Sequence, residues 1–316
     1  FNAFGNQPKV FLATKFLLAM VVLFPPAYFI GGTLPVVGQY VDRVGKQRGV
    51  KVTSLYVINT LGAVVGTLLA GFYLPVALGY EQSYFLTMGL TLLVGLSALG
   101  LSRGVTKIHI SAPQEHPDIV TTQGDISLAG LKQLSFFSGF TVLSLEVLWG
   151  RMFEQVLQNS VYTFAIILAL FLLCIALGSF LAYRLMQSSL VNEACFFWQL
   201  MASAVLIGLS PFVFLCLTEN LNYVGSNTGW AEYILTIVGI GAIVMGPVLL
   251  CLGGLLPQLI KFSEARGGMT GSVVGTLVAF NTAGGIVGSL VTGFFVFDYL
   301  GLRAGIRCLA VLYCLA

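Results

Sequence analysis

Apolar runs long enough to cross a bilayer recur from Val10 to the end of this chain, and no other feature constrains the fold as strongly. A hydrocarbon core is about 30 Å thick and takes about 20 residues of helix to span. Only 9% of the 316 residues are charged, against roughly 25% in a soluble domain, too few to cover a water-facing surface of this size. Inside lipid, only helices and closed barrels satisfy their own backbone hydrogen bonds. A barrel would show short alternating strands. Here the runs are continuous Leu, Val, Ile, Phe and Ala interspersed with Gly, the pattern of a helix bundle. The expected fold class is therefore all-α and integral to the membrane, a polytopic bundle whose first partner is the lipid bilayer.

Nine spans are expected, at about 10–38, 51–75, 82–102, 133–153, 161–184, 194–217, 230–260, 272–297 and 303–316. Pro25, Pro26 and Pro35 interrupt the first, and Pro247 and Pro257 the seventh; proline inside a helix removes a hydrogen bond and kinks it. The last span is too short to cross. No signal peptide precedes the first, so both ends are expected to be cuts through a longer protein. The only long polar segment lies between Arg103 and Lys132 and holds Pro113, Pro117, His109 and His116. It reads as a linker. The organisation expected is a partial first helical half over 1–103, a linker over 104–131, and a second half over 132–316 with its last helix truncated.

Basic residues mark the cytoplasmic ends of membrane helices. Arg43, Lys46, Arg48 and Lys51, then Arg103, Lys107 and Lys132, then Arg184, then Lys261 and Arg266 fall on one side, while Lys9, Arg151 and Arg303 fall on the other. This places the 41–51 loop, the 104–131 linker and the 261–270 loop in the cytoplasm, with the chain in a cytoplasmic (inner) membrane.

An internal repeat organises the helices. GGTLP at Gly31–Pro35 matches GGLLP at Gly253–Pro257, and NTLGAVVGTLLAGF from Asn59 matches NTAGGIVGSLVTGF from Asn281, both at an offset of 222 residues. About nineteen of roughly fifty-five positions are identical without a gap. Chance similarity between apolar helices would match Leu and Val, not Asn-Thr and a ladder of glycines. The offset spans about six helices, an even number, so both copies enter the membrane in the same direction. That is a parallel repeat about an axis along the membrane normal. Three helices precede the repeat in the second half and none in the first. The full protein is therefore expected to carry about three more ahead of Phe1, six plus six in all.

The net charge of +3 says little about partners, and no basic stripe points to nucleic acid. The six cysteines lie in apolar runs without a CxxC pair, and the two histidines lack clustered ligands, so neither a metal nor a disulfide framework is indicated. There is no Ser/His/Asp set, phosphate loop or strand–GxGxG–helix unit, and no catalytic residue is assigned.

Several intramembrane residues are candidates for packing or chemistry. Gly62 with Gly66, and Gly284 with Gly288, stand four apart, the spacing that lets helix backbones approach closely. Asn59 and Asn281 each need a partner that lipid cannot supply. They can serve as interhelical glue, bonding across the pseudo-twofold axis, or contact a ligand. Glu146 lies in SFFSGFTVLSLEVLWGRMF, just ahead of Trp149 and Arg151. An acid within a span is costly and marks a functional candidate, while Trp and Arg suggest a nearby interface. Glu146 is either paired with a basic group at that interface or a proton- or cation-binding group.

Two resemblances follow. The segment Gly38–Arg48, GQYVDRVGKQR, resembles the Asp-Arg loop of the major facilitator superfamily, although the second copy, IKFSEARGGMT, lacks the Asp-Arg pair. GGTLP with YVINTLGAVVGTLLAGFYLPVALG, the EVLWGRMF stretch at Glu146–Phe153, LALFLLCIALGS at Leu168–Ser179 and VGTLVAFNTAGGIVGSLVTGFFV resemble the membrane portion of the multi-span spermidine synthase-like (polyamine aminopropyltransferase-like) proteins of bacteria. In that family a cytosolic aminopropyltransferase-like domain of methyltransferase type often follows the helices and uses decarboxylated S-adenosylmethionine. The resemblance implies such an attached domain as partner. None of it lies in this chain, so no cofactor is expected here, and whether the protein is an enzyme turns on that domain. Three functions stand open: a membrane module anchoring or serving polyamine chemistry, a major-facilitator-like transporter of a small cationic solute, and a non-catalytic subunit of a larger membrane complex.

Overall fold

A computed structural model describes residues 8–44, 48–104, 128–187, 193–224, 229–264 and 271–315. Most of the linker, with His109 and His116, and parts of the 41–51 and 261–270 loops lie outside the described residues. The described elements are helices throughout, with no strand. They are α1 (Pro8–Val44), α2 (Arg48–Leu68), α3 (Leu74–Gly104), α4 (Leu128–Phe153), α5 (Val161–Gln187), α6 (Glu193–Leu217), α7 (Trp230–Gly253), α8 (Leu255–Glu264), α9 (Gly271–Val291) and α10 (Phe297–Leu315). A π-helical turn joins α2 to α3 (Leu69–Tyr73), and another joins α9 to α10 (Thr292–Val296).

Among the described residues six helical segments are long and apolar enough to span a membrane: Val57–Gly100, Leu128–Phe153, Val161–Met186, Ala194–Leu217, Trp230–Ser263 and Val273–Cys314; Ala13–Phe29 is apolar but shorter. Six rather than the expected nine qualify because two pairs of expected spans are fused and the first expected span is represented only by the shorter Ala13–Phe29 stretch. The 44-residue Val57–Gly100 segment joins the second and third, and the 42-residue Val273–Cys314 segment the eighth and ninth. Each fused segment kinks at one glycine. Gly79 has φ 74° and ψ 172°, and Gly301 has φ 71° and ψ 172°, a backbone that side chains with a Cβ rarely adopt. These two glycines stand at the 222-residue offset.

The prolines act differently in the two copies. The backbone of α1 stays helical through Pro25, Pro26 and Pro35, whereas the corresponding stretch of the second half breaks at Gly254 into α7 and α8. Pro257 has no N–H to give the carbonyl four residues back, that of Gly253. Ser179 on α5 supplies the missing donor, its Oγ reaching Gly253 O at 2.7 Å. Gln199 on α6 donates to Cys251 O at 2.6 Å, and Gln258 donates to Gln199 at 2.8 Å. The break is thus held by side chains from two neighbouring helices.

Small residues set the tightest crossings. A Cβ on Gly139 of α4 would run into the Asn281 carbonyl of α9, and Cβ atoms on Gly284 and Gly288 would run into the carbonyls of Phe136 and Phe140 on α4. Ser135 Oγ closes the same seam onto Leu277 O at 2.6 Å. Where α5 crosses α7, Cβ atoms on Gly178 and Gly253 would meet the backbone of the partner helix. Such contacts drive helix association where lipid removes the usual hydrophobic gain. The core lies in α4–α10 around Trp149, Phe153, Phe214, Met245 and Leu249. The α2–α3 segment is only 11% buried, against 50% for α5. Its exposed side chains are mostly Leu, Val, Phe and Tyr, as suits a surface facing hydrocarbon or further helices.

Candidate functional site

Glu146 sits two turns from the end of α4, half-buried. It borders a partly open cavity of about 110 Å³ between α4, the connection 154–160, α5 and α7. The polar lining comes from Glu146, Glu154, Gln158, Asn159, Ser160 and Thr163; the apolar floor includes Phe171 and Met245. The rim is fixed by hydrogen bonds. Gln158 N donates to Tyr233 Oη at 2.9 Å, Thr163 Oγ1 and Tyr233 Oη lie 3.1 Å apart, and Ser160 Oγ and Thr163 Oγ1 lie 3.0 Å apart. Val224 N donates to Val156 O at 2.8 Å, tying the connection after α6 to the one after α4.

The three residues that the sequence groups here separate in space. Trp149 is fully buried, and its Nε1 donates to Ser210 Oγ on α6 at 3.2 Å. Its ring anchors α4 inside the bundle instead of facing an interface. Arg151 is exposed, pairs with Glu154 at 3.1 Å and stacks 5.5 Å from the Phe297 ring centroid. Glu146 makes no ion pair or hydrogen bond among the described residues. No basic group among the described residues pairs with its carboxyl, and the cavity beside it offers amide and hydroxyl groups together with Glu154, itself paired with Arg151.

The asparagines do not meet across the molecule. Asn59 is exposed on α2, Asn281 is half-buried on α9, and neither amide makes a hydrogen bond among the described residues. What Asn281 contributes is its backbone carbonyl, against Gly139. Gly284 and Gly288 lie in the α4 seam, whereas Gly62 and Gly66 have open space where a Cβ would go. No cluster of three or more His, Cys, Asp or Glu side chains occurs among the described residues, and all six cysteines are free thiols. The rim residues Gln158, Thr163 and Tyr233 escape a sequence reading because they lie 75 and 70 residues apart. The Ser179 contact had a partial signal, since Pro257 four residues after Gly253 marks a carbonyl that needs a donor from elsewhere. Comparison with protein-family models, curated proteins and solved structures finds no match to this chain.

Proposed function

We propose that the chain is the membrane module of a spermidine synthase-like protein and that it holds a small organic cation, of the polyamine class, beside Glu146. The observation that carries this reading is a half-buried carboxylate on a membrane helix, without a basic partner, at the edge of a cavity lined by Gln158, Asn159 and Thr163. A carboxylate left so is expensive unless a proton or a cation joins it. A protonated amine fits both features, because its charge meets Glu146 and its N–H groups meet the amide and hydroxyl oxygens. The module anchors an attached aminopropyltransferase-like domain on the cytoplasmic side, while the cavity, at the Arg151 end of α4, lies toward the opposite face of the membrane. The expected orientation puts 41–51, the 104–131 linker and 261–270 on the cytoplasmic side.

The proposed plan is two parallel copies, a partial first half over 1–103 and a second half over 132–316. The shared glycine ladder, the matched π-helical turns and the near-equal dihedral angles at Gly79 and Gly301 support it. The same plan favours a second reading, a major-facilitator-like transporter. Transporters with parallel halves place substrate near the midplane and use interrupted helices, and α7 and α8 form such an interruption.

The test is equilibrium binding of radiolabelled spermidine to the purified full-length protein and to its Glu146→Gln variant. Charge-assisted hydrogen bonds contribute about 1.5–3 kcal/mol, so the variant is expected to bind about 10-fold to 100-fold more weakly. Equal binding by the two proteins, or none by the wild type, removes the cation site. Uptake of the same probe into sealed vesicles separates the transporter from the anchored module.

A further inference from the structure

The two copies of the repeat are packed on opposite sides, and the difference is complementary. On α2 and the π-helical turn that follows it, Thr60, Val64 and Gly71 are buried on the side facing α5, where a Cβ on Gly71 would strike Ala165. The far side of α2, carrying Asn59, Gly62 and Gly66, is open. On α9 the pattern reverses. Gly284 and Gly288 are closed against α4, while Thr282, Ile286 and Gly293, at the offset from Thr60, Val64 and Gly71, are exposed, with open space at Gly293. Each open face therefore has an occupied counterpart in the same molecule. The aromatic contacts are reciprocal in the same way. Phe72 packs on Trp230 at the start of α7, and its counterpart Phe294 packs on Phe16 of α1, both at 6.3 Å.

We propose that the open faces seat two further membrane helices of the same polypeptide, encoded ahead of Phe1. The first-half counterpart of α4 lies on Asn59, Gly62 and Gly66, and the counterpart of α5 lies on Thr282, Ile286 and Gly293. This rests on the two-copy plan proposed above and adds where the missing helices sit. The α4 counterpart must bring bare backbone to Gly62 and Gly66, as α4 brings its Phe136 and Phe140 carbonyls to Gly284 and Gly288. It must also carry Gly or another small residue against the Asn59 carbonyl, as Gly139 does at Asn281. The α5 counterpart must carry a residue no larger than Ala165 opposite Gly293.

Lipid is the poorer occupant, because acyl chains cannot meet the exposed Asn59 amide and gain little from a face of bare glycine backbone. A second copy of the chain is poorer too. Its α4 is already covered by its own α9, and its α5 by its own α2 and α7.

The experiment uses the full-length protein from the intact gene in native membranes. A photo-crosslinking benzoylphenylalanine replaces Leu69, beside the glycine face of α2, or Leu290, beside the open face of α9. Mass spectrometry then identifies the adducts in mixed isotope-labelled and unlabelled protein. The expected result is two different apolar peptides from the region preceding Phe1, one for each probe. Adducts on lipid alone, adducts joining labelled to unlabelled copies, or no adduct overturn the seats. Gly62→Leu supplies an independent reading: it is expected to lower the melting temperature of the full-length protein as much as Gly284→Leu does, and an unchanged value overturns the α2 seat. The two-copy plan is tested separately by the gene. If it encodes no apolar spans upstream, plan and seats both fall; if it encodes spans that cross-link elsewhere, only the seats fall. Spermidine binding at Glu146 stands apart from both outcomes.

Discussion

Replacing Gly284 by alanine perturbs the α4–α9 seam by a single methyl group. Built on the observed backbone, that methyl overlaps the Phe136 carbonyl oxygen and comes to 2.8 Å from its carbon and 3.0 Å from its Cα. Every close atom belongs to backbone, so no side chain can turn aside, and the helices must part. Parting them loosens Gly139 against Asn281, Gly288 against Phe140 and the 2.6 Å Ser135–Leu277 hydrogen bond. Overpacking costs about 1–3 kcal/mol, while alanine recovers about 0.8–1 kcal/mol of helix propensity. Because the overlap is with backbone, the upper part of that range applies, about 2–3 kcal/mol, and the net is a loss of about 1–2 kcal/mol. At about 2–4 °C per kcal/mol for a domain of this size, the melting temperature should fall by about 2–8 °C. Tryptophan fluorescence during heating in detergent follows it, since Trp149 lies buried on α4. A Gly284→Ala protein that melts at or above the wild-type temperature would refute the close crossing.

Ser179→Ala leaves the Gly253 carbonyl without its donor and should cost about 1–3 kcal/mol, read as a lower melting temperature with Ser179→Thr as the conservative control. Trp149→Phe removes the bond to Ser210 and part of a packed ring; a loss of about 1–3 kcal/mol is expected, and no loss would mean that Trp149 is not anchored as described. Tyr233→Phe strips the hydroxyl that meets Gln158 N and Thr163, so amide exchange at Gln158 should quicken by at least about tenfold, and unchanged exchange would show the rim is held otherwise. Arg151→Ala breaks an exposed pair, worth about 0–1 kcal/mol, and an exposed-site contact with the Phe297 ring, worth about 0.5–1 kcal/mol, and should lower stability by no more than about 2 kcal/mol and leave spermidine binding close to wild type.

Much of the bundle can be read in the sequence because its signal is local. Apolar length marks each helix, and the Asn-Thr and glycine ladder ties Gly62 to Gly284 and Gly66 to Gly288. The span count is less accessible. A left-handed glycine at 79 or 301 bends a helix without ending it, and nothing in the flanking Leu78 or Leu300 announces this. That Arg151 is not the basic group beside Glu146 follows from helix geometry alone. Residues five apart on a helix point about 140° away from each other, whereas Glu154, three residues on, shares the face of Arg151. The burial of Trp149 and the rim made by Gln158, Thr163 and Tyr233 are tertiary facts. They depend on α6 and α7 packing beside α4 and α5, which apolar periodicity cannot foretell when a helix is apolar all round.

The cation beside Glu146 is the central claim, and a direct view of it is the decisive measurement. Cryo-electron microscopy of the full-length protein in lipid nanodiscs, with and without saturating spermidine, should show elongated density in the cavity between α4 and α5. One end should lie within about 3 Å of the Glu146 carboxylate, in the spermidine sample only. A cavity that looks the same in both samples, or a Glu146 side chain turned into an ion pair with a basic residue, would contradict the account.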